Sequence, residues 1–252
     1  MCRRITAAAA LALLVGCATL RHRASAPDSA QILRAYESGV RNAAVARKES
    51  VATDLIAIDH VNHRLLWDAG GERVLVVTWK SESSYERFLR GAASTSSDEA
   101  NVVWVTAAPQ VQEFCRRFAA EDPSATSAQL ALRLKQYLGL NPEWSYDVFV
   151  ELWVRPADMF RPCVDPEITD SICNLDFSNP PPVVKGIADY RRFYEHLYFE
   201  DFRTSPGVPW TGLGYTYDWG NHERHEGASE FILTPGAGYE IRDAIPTADY
   251  CR

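Results

Sequence analysis

The chain opens Met1-Cys2-Arg3-Arg4 and continues with Ile5 to Val15, an uncharged stretch of eleven residues made mostly of Ala and Leu. A helix needs about 20 apolar residues to cross the hydrocarbon core of a bilayer, so this stretch is too short to span one. No later segment supplies a run of spanning length. The remainder of the chain is therefore expected to bury its apolar side chains against one another in water. A basic start, a short apolar run and small residues after it form the pattern of a secretory signal that is removed from the mature protein.

The run ends Leu14-Val15-Gly16-Cys17. This tetrad resembles the lipobox of bacterial lipoproteins. The resemblance implies cleavage before Cys17, a diacylglycerol on its thiol and an acyl chain such as palmitate on its new amine. Each buried CH₂ of such chains contributes about 0.8 kcal/mol, so two or three chains anchor firmly. Ala18 rather than Asp after the cysteine implies the periplasmic face of the outer membrane, if the host has two membranes. The expected organisation is a signal peptide over 1–16, a lipidated tether over 17–27 and a globular domain over 28–252. Arg21-His22-Arg23 would lie beside lipid headgroups, where basic side chains strengthen the attachment.

Export decides how the cysteines are read. Cys115, Cys163, Cys173 and Cys251 remain once Cys2 and Cys17 are set aside, and an even count in an oxidising compartment points to two disulfides. Three pairings are possible. Cys163 and Cys173 bracket a short loop and pair at least entropic cost, which leaves Cys115 with Cys251. No Cys-x-x-Cys pair is present to favour a metal site instead. Cleavage also removes Arg3 and Arg4, so 24 of the 26 basic side chains face 33 acidic ones, a net charge of −9. A surface of that sign excludes nucleic acid as a partner.

Periodicity predicts an α+β domain, a mainly antiparallel sheet with helices packed on it. Asp28 and Gln31 read as a capping box for a helix reaching about Glu49. Strands are expected over 53–59, 63–68 and 73–80, the last two joined through Gly70-Gly71, then over 101–106 and 146–154. Helices are expected from Pro109, over 127–138 and over 186–202, and a short helical turn over 85–89. Residues 155–182, rich in Pro and acids, read as an ordered excursion. Strands return over 214–219, 229–234 and 239–242. No repeat at a fixed period is present.

The candidates for chemistry are few. His60-x-x-His63 and His222-x-x-His225 supply imidazoles at a spacing that zinc accepts, which would suit a metal-dependent hydrolase if the two pairs meet. The loop holding Asp165, Glu167 and Asp170 offers oxygens to calcium but lacks the EF-hand rhythm. Glu151 sits in an otherwise apolar strand, where burial would raise its pKa and fit it for general acid work. Trp210, Tyr215, Tyr217 and Trp219 crowd one glycine-bearing segment, and strand spacing puts the last three on one face. Such a face suits either a core or a platform for a sugar or peptide of the cell wall.

One further segment, Ser229-Glu230-Phe231-Ile232-Leu233-Thr234-Pro235-Gly236-Ala237-Gly238-Tyr239, is similar to the late strand-turn-strand of ADP-ribosyltransferases. That resemblance implies Glu230 as the catalytic carboxylate and NAD as the molecule bound. The chain departs from it twice. Ala228 stands where many arginine-specific members carry a second Glu, and the only Ser-Thr-Ser, Ser94-Thr95-Ser96, lies in a polar loop.

There is no phosphate-binding P-loop, dinucleotide glycine fingerprint, Gly-x-Ser-x-Gly elbow or His-Glu-x-x-His helix. With those classes removed, the leading expectation is a lipid-anchored envelope protein, non-enzymatic and without cofactor, that binds a cell-wall ligand or a protein. The metal hydrolase and the ADP-ribosyltransferase-like enzyme stand as alternatives.

Overall fold

A computed structural model describes residues 28–202 and 207–252. The lipobox residues Leu14 to Cys17 and the tether to residue 27 lie outside the described residues. The strands are β1 Val74–Lys80, β2 Val103–Ala107, β3 Val148–Val154, β4 Met159–Phe160, β5 Tyr215–Tyr217, β6 Glu226–Leu233 and β7 Tyr239–Pro246. The helices are α1 Ser29–Ala43, α2 Glu82–Phe88, α3 Ala108–Glu121, α4 Ser127–Tyr137, α5 Tyr190–His196 and α6 Thr247–Tyr250. All these strands join one antiparallel sheet in the order β4-β6-β2-β1-β3-β7. The outer edge of β6 is shared, with β4 on its C-terminal end and β5 on its N-terminal end. The expected α+β class is what forms.

Alternation in β3 builds the two faces. Val148, Val150, Leu152 and Val154 pack with Val74 and Val76 of β1, with Phe231 and Leu233 of β6, and with Ile56, Ile58 and Leu65. Phe149 points the other way, beside Leu75, Val77 and Trp79, under α3, α4 and α6. β-Branched residues suit such a half-buried pleated surface. Each fully buried large apolar side chain contributes about 1.5–3 kcal/mol. Trp79 stacks on Phe149 at 4.9 Å, and Phe149 on Tyr250 at 4.0 Å. The Cys115–Cys251 disulfide then ties α3 to the chain beyond α6, and Cys163–Cys173 closes the excursion after β4. These are the pairings expected from spacing.

The capping box at Asp28 and Gln31 forms, but α1 stops at Ala43 instead of reaching residue 49. Its buried face is Tyr36, Gly39 and Ala43, which lie against Tyr217 and Trp219, and the residues just past Ala43 have no core to face. Segment 53–59 is not a strand, and 63–68 pairs with β1 only through a single antiparallel bridge, Trp67 to Val74, across the expected Gly70-Gly71 turn. The apolar alternation of 53–59 reflects burial without a ladder: Leu55 N–H donates to Ser171 O, Ile56 N–H to Ser229 Oγ and Ile58 N–H to Ile168 O. The helix expected over 186–202 is shorter, with α5 followed by a wider turn over Leu197–Asp201. The short strand β4 and the helix α6 carry too little pattern to be read from sequence.

Candidate functional site: a cleft where the sheet parts

Strands β1 and β2 pair only at Val76–Ala107 and Val77–Thr106. The antiparallel register would continue to Thr78–Val105, Trp79–Trp104 and Lys80–Val103, yet those pairs do not form. From Thr78 onward β1 keeps its ladder to β3, while β2 keeps its ladder to β6. The two halves of the sheet diverge there, and a cleft of about 250 Å³ opens between them.

The cleft wall is aromatic. Trp79, Trp104, Trp144, Tyr146, Phe202, Trp210 and Tyr217 all line it, with Leu138, Gly139 and Leu140 closing one side. Trp104 meets the edges of Phe202 at 5.5 Å and Trp210 at 6.4 Å. Trp79 stacks on Tyr146 at 4.9 Å and donates its indole N–H to Thr247 Oγ1. These contacts hold the rings in place before any ligand arrives. Trp144 is 44% exposed and stands at the mouth. Gly139 is required by close approach: its φ is +66°, and an added Cβ would lie 3.3 Å from the Tyr217 backbone nitrogen.

Among the described residues the cleft has one carboxylate, Glu230, and one basic side chain, Lys80. Glu230 sits on β6 opposite Thr106 of β2, next to the line where the sheet divides. Its Oε2 is buried and accepts no hydrogen bond of good geometry among the described residues. Burial lifts the carboxyl from 4.5 to about 8, and interaction with the Trp210 side chain offsets only part of the rise. Burial likewise pushes the Lys80 ammonium below the usual lysine range, with no counter-ion opposing it among the described residues. Once ionised, a carboxyl held this way, between aromatic faces and with no ion-pair partner among the described residues, is complementary to a flat positively charged group.

The residues singled out in the sequence scatter. Trp210, Tyr215, Tyr217 and Trp219 are all buried, but only Trp210 and Tyr217 reach the cleft. Tyr215 packs with Leu55 and the Cys163–Cys173 disulfide, and Trp219 packs with Tyr36 of α1. His60 is exposed and stacks on Trp67, His63 and His222 are exposed, and His225 stacks on Tyr217. Among the described residues no group of three or more His, Cys, Asp or Glu is arranged to hold a metal.

Glu151 is buried and paired with Arg242 at 3.1 Å; burial raises its pKa and Arg242 opposes the rise. Carboxylates of the 165–170 loop are engaged locally, Asp165 by Asn174 and Glu167 by Thr169. Around this loop the buried Arg161 guanidinium donates to the carbonyls of Ile56, Glu167 and Asp170. Thr95 of the Ser-Thr-Ser segment pins the turn after β6, donating to Thr234 O and accepting from Ala237 N.

Sequence reasoning missed Trp79, Lys80, Trp104, Trp144, Tyr146 and Phe202. The available signal was tryptophan: four of the seven in the chain line the cleft. Comparison with protein-family models, curated proteins and solved structures found no match.

Proposed function

We propose that the chain is the body of an exported, lipid-anchored envelope protein whose cleft binds NAD and whose Glu230 promotes ADP-ribosyl transfer. The observation that carries this is the position of Glu230: a carboxyl with one oxygen buried and its pKa raised, lining an aromatic cleft, at the place in the sequence that resembles the ADP-ribosyltransferase strand. The pyridinium ring of NAD is flat and cationic, so aromatic faces and a carboxylate both favour it. Two disulfides suit an oxidising compartment, which supports export.

The chemistry needs little more from the protein. The bond between the nicotinamide nitrogen and the ribose C1′ breaks, and nicotinamide leaves neutral with the electron pair. Positive charge develops on the ribose, where an adjacent Glu230, once ionised as pH approaches and passes about 8, stabilises it without reorganising. A nucleophile bonds to C1′ and gives up a proton. Water as that nucleophile yields ADP-ribose. Ala228 in place of a second Glu argues against arginine as the acceptor, and Ala228 is fully buried in the core.

The test is nicotinamide release from NAD by the oxidised protein. Wild type should release it, and Glu230→Gln should bind NAD but slow release by about 10²–10³-fold. Binding without release in both proteins would leave a non-enzymatic binding module, and absence of NAD binding would overturn the proposal.

A further inference from the structure

A second cleft, also of about 250 Å³, shares no lining residue with the first. The chain from Tyr215 to Asp218 serves both: Thr216 and Tyr217 line the Glu230 cleft, and Tyr215 and Asp218 line this one. Its character is the opposite. Four guanidiniums and three carboxylates converge on it. Arg133 grips Asp218 with two hydrogen bonds of 2.9 and 2.6 Å, and Arg224 is held by both Asp54 and Glu226. Two guanidiniums thereby hold all three carboxylates, and the cleft as a whole keeps one positive charge in excess.

Arg64 and Arg117 are left over, and neither has an ion pair among the described residues. Both lie close enough to the Tyr137 hydroxyl to act on it electrostatically, as does Arg133. Donors also outnumber acceptors. Gln110 turns its Oε1 to Ser229 N–H at 3.0 Å, which leaves its amide N–H groups for a ligand. Phe114, stacked on Tyr137 at 3.7 Å, gives this group a rigid floor. An acidic protein that gathers an excess of guanidinium charge around a donor-rich hollow, two of the guanidiniums outside any ion pair among the described residues, has built a site for negative charge.

We infer that this cleft binds an oxyanion, a carboxylate or a phosphate monoester, between Arg64 and Arg117. The site stands independently of the Glu230 cleft and of NAD. The test is thermal melting in methyl phosphate or succinate at matched ionic strength, with chloride as reference. Wild type should gain roughly 2–4 °C from one of the two anions at saturating concentration. The Arg64→Gln/Arg117→Gln protein should melt as wild type does in chloride and gain nothing. Methyl phosphate as the active probe assigns phosphate, and succinate assigns carboxylate. A gain that survives the double substitution is a general salt effect and overturns the inference, as does no gain in wild type. Arg64→Gln alone, in an exposed loop, repeats the measurement if the double variant folds poorly.

Discussion

At the scale of single residues, Glu230 sets the most direct test of the cleft. Its carboxyl titrates near 8 in the folded chain and near 4.5 when exposed. The folded state therefore holds a proton that the unfolded state has released across that window, and stability falls as pH rises through it. Glutamine mimics the protonated form at every pH. Glu230→Gln should melt with wild type near pH 4.5, then become the more stable protein by several degrees above about pH 8. Parallel melting curves at all pH values would show that the carboxyl is solvated. Burial of this carboxyl costs folding free energy, which a bound cation would recover.

At the scale of elements, the excursion between β4 and α5 has almost no ladder and is held by the Cys163–Cys173 disulfide and by side-chain bonds to its backbone, those of Arg161 foremost. Arg161 is fully buried and serves three backbone carbonyls, while Tyr190 Oη–H donates to the carbonyls of Arg161 and Cys163. Its surroundings leave no slack, because a Cβ on Gly214 would sit 2.5 Å from Arg161 Cδ. Arg161→Leu removes the donors and leaves buried carbonyls unpaired, each costing about 1–3 kcal/mol. The denaturant midpoint should fall accordingly, and proteolysis should open the 163–173 loop first. A wild-type midpoint would mean that the Cys163–Cys173 bond alone holds the excursion.

For the molecule as a whole, the cleft exists because one sheet behaves as two. β1 with β3 and β7 forms one half, β2 with β6, β4 and β5 the other, and the halves share only two residue pairs. A ligand seated between the halves should therefore sense the charge on Glu230. A cationic probe such as 1-methylnicotinamide, methylated on the ring nitrogen, needs the carboxylate ionised, so its affinity should rise about tenfold per pH unit up to about 8 and level off above it. Quenching of tryptophan fluorescence across that range measures this, and Glu230→Gln should give a flat profile. A flat profile in wild type would separate Glu230 from the bound cation.

Much of this protein was legible in its sequence, for a reason that is local. The capping box at Asp28, the alternation of β3, the helices after Pro109 and Thr126 and the partner of each cysteine follow from neighbours a few residues apart or from the shortest loop to close. Segment 53–59 misled because alternation records burial, and burial does not require a ladder. Glu230 could be named from its strand, but its raised pKa, its aromatic neighbours and the unpaired arginines of the second cleft could not. The first two depend on Trp79, Trp104, Trp144 and Trp210 meeting across more than a hundred residues of chain, and the last on Arg64 meeting Arg117 of α3. Only the packed sheet, and the place where it comes apart, brings them together.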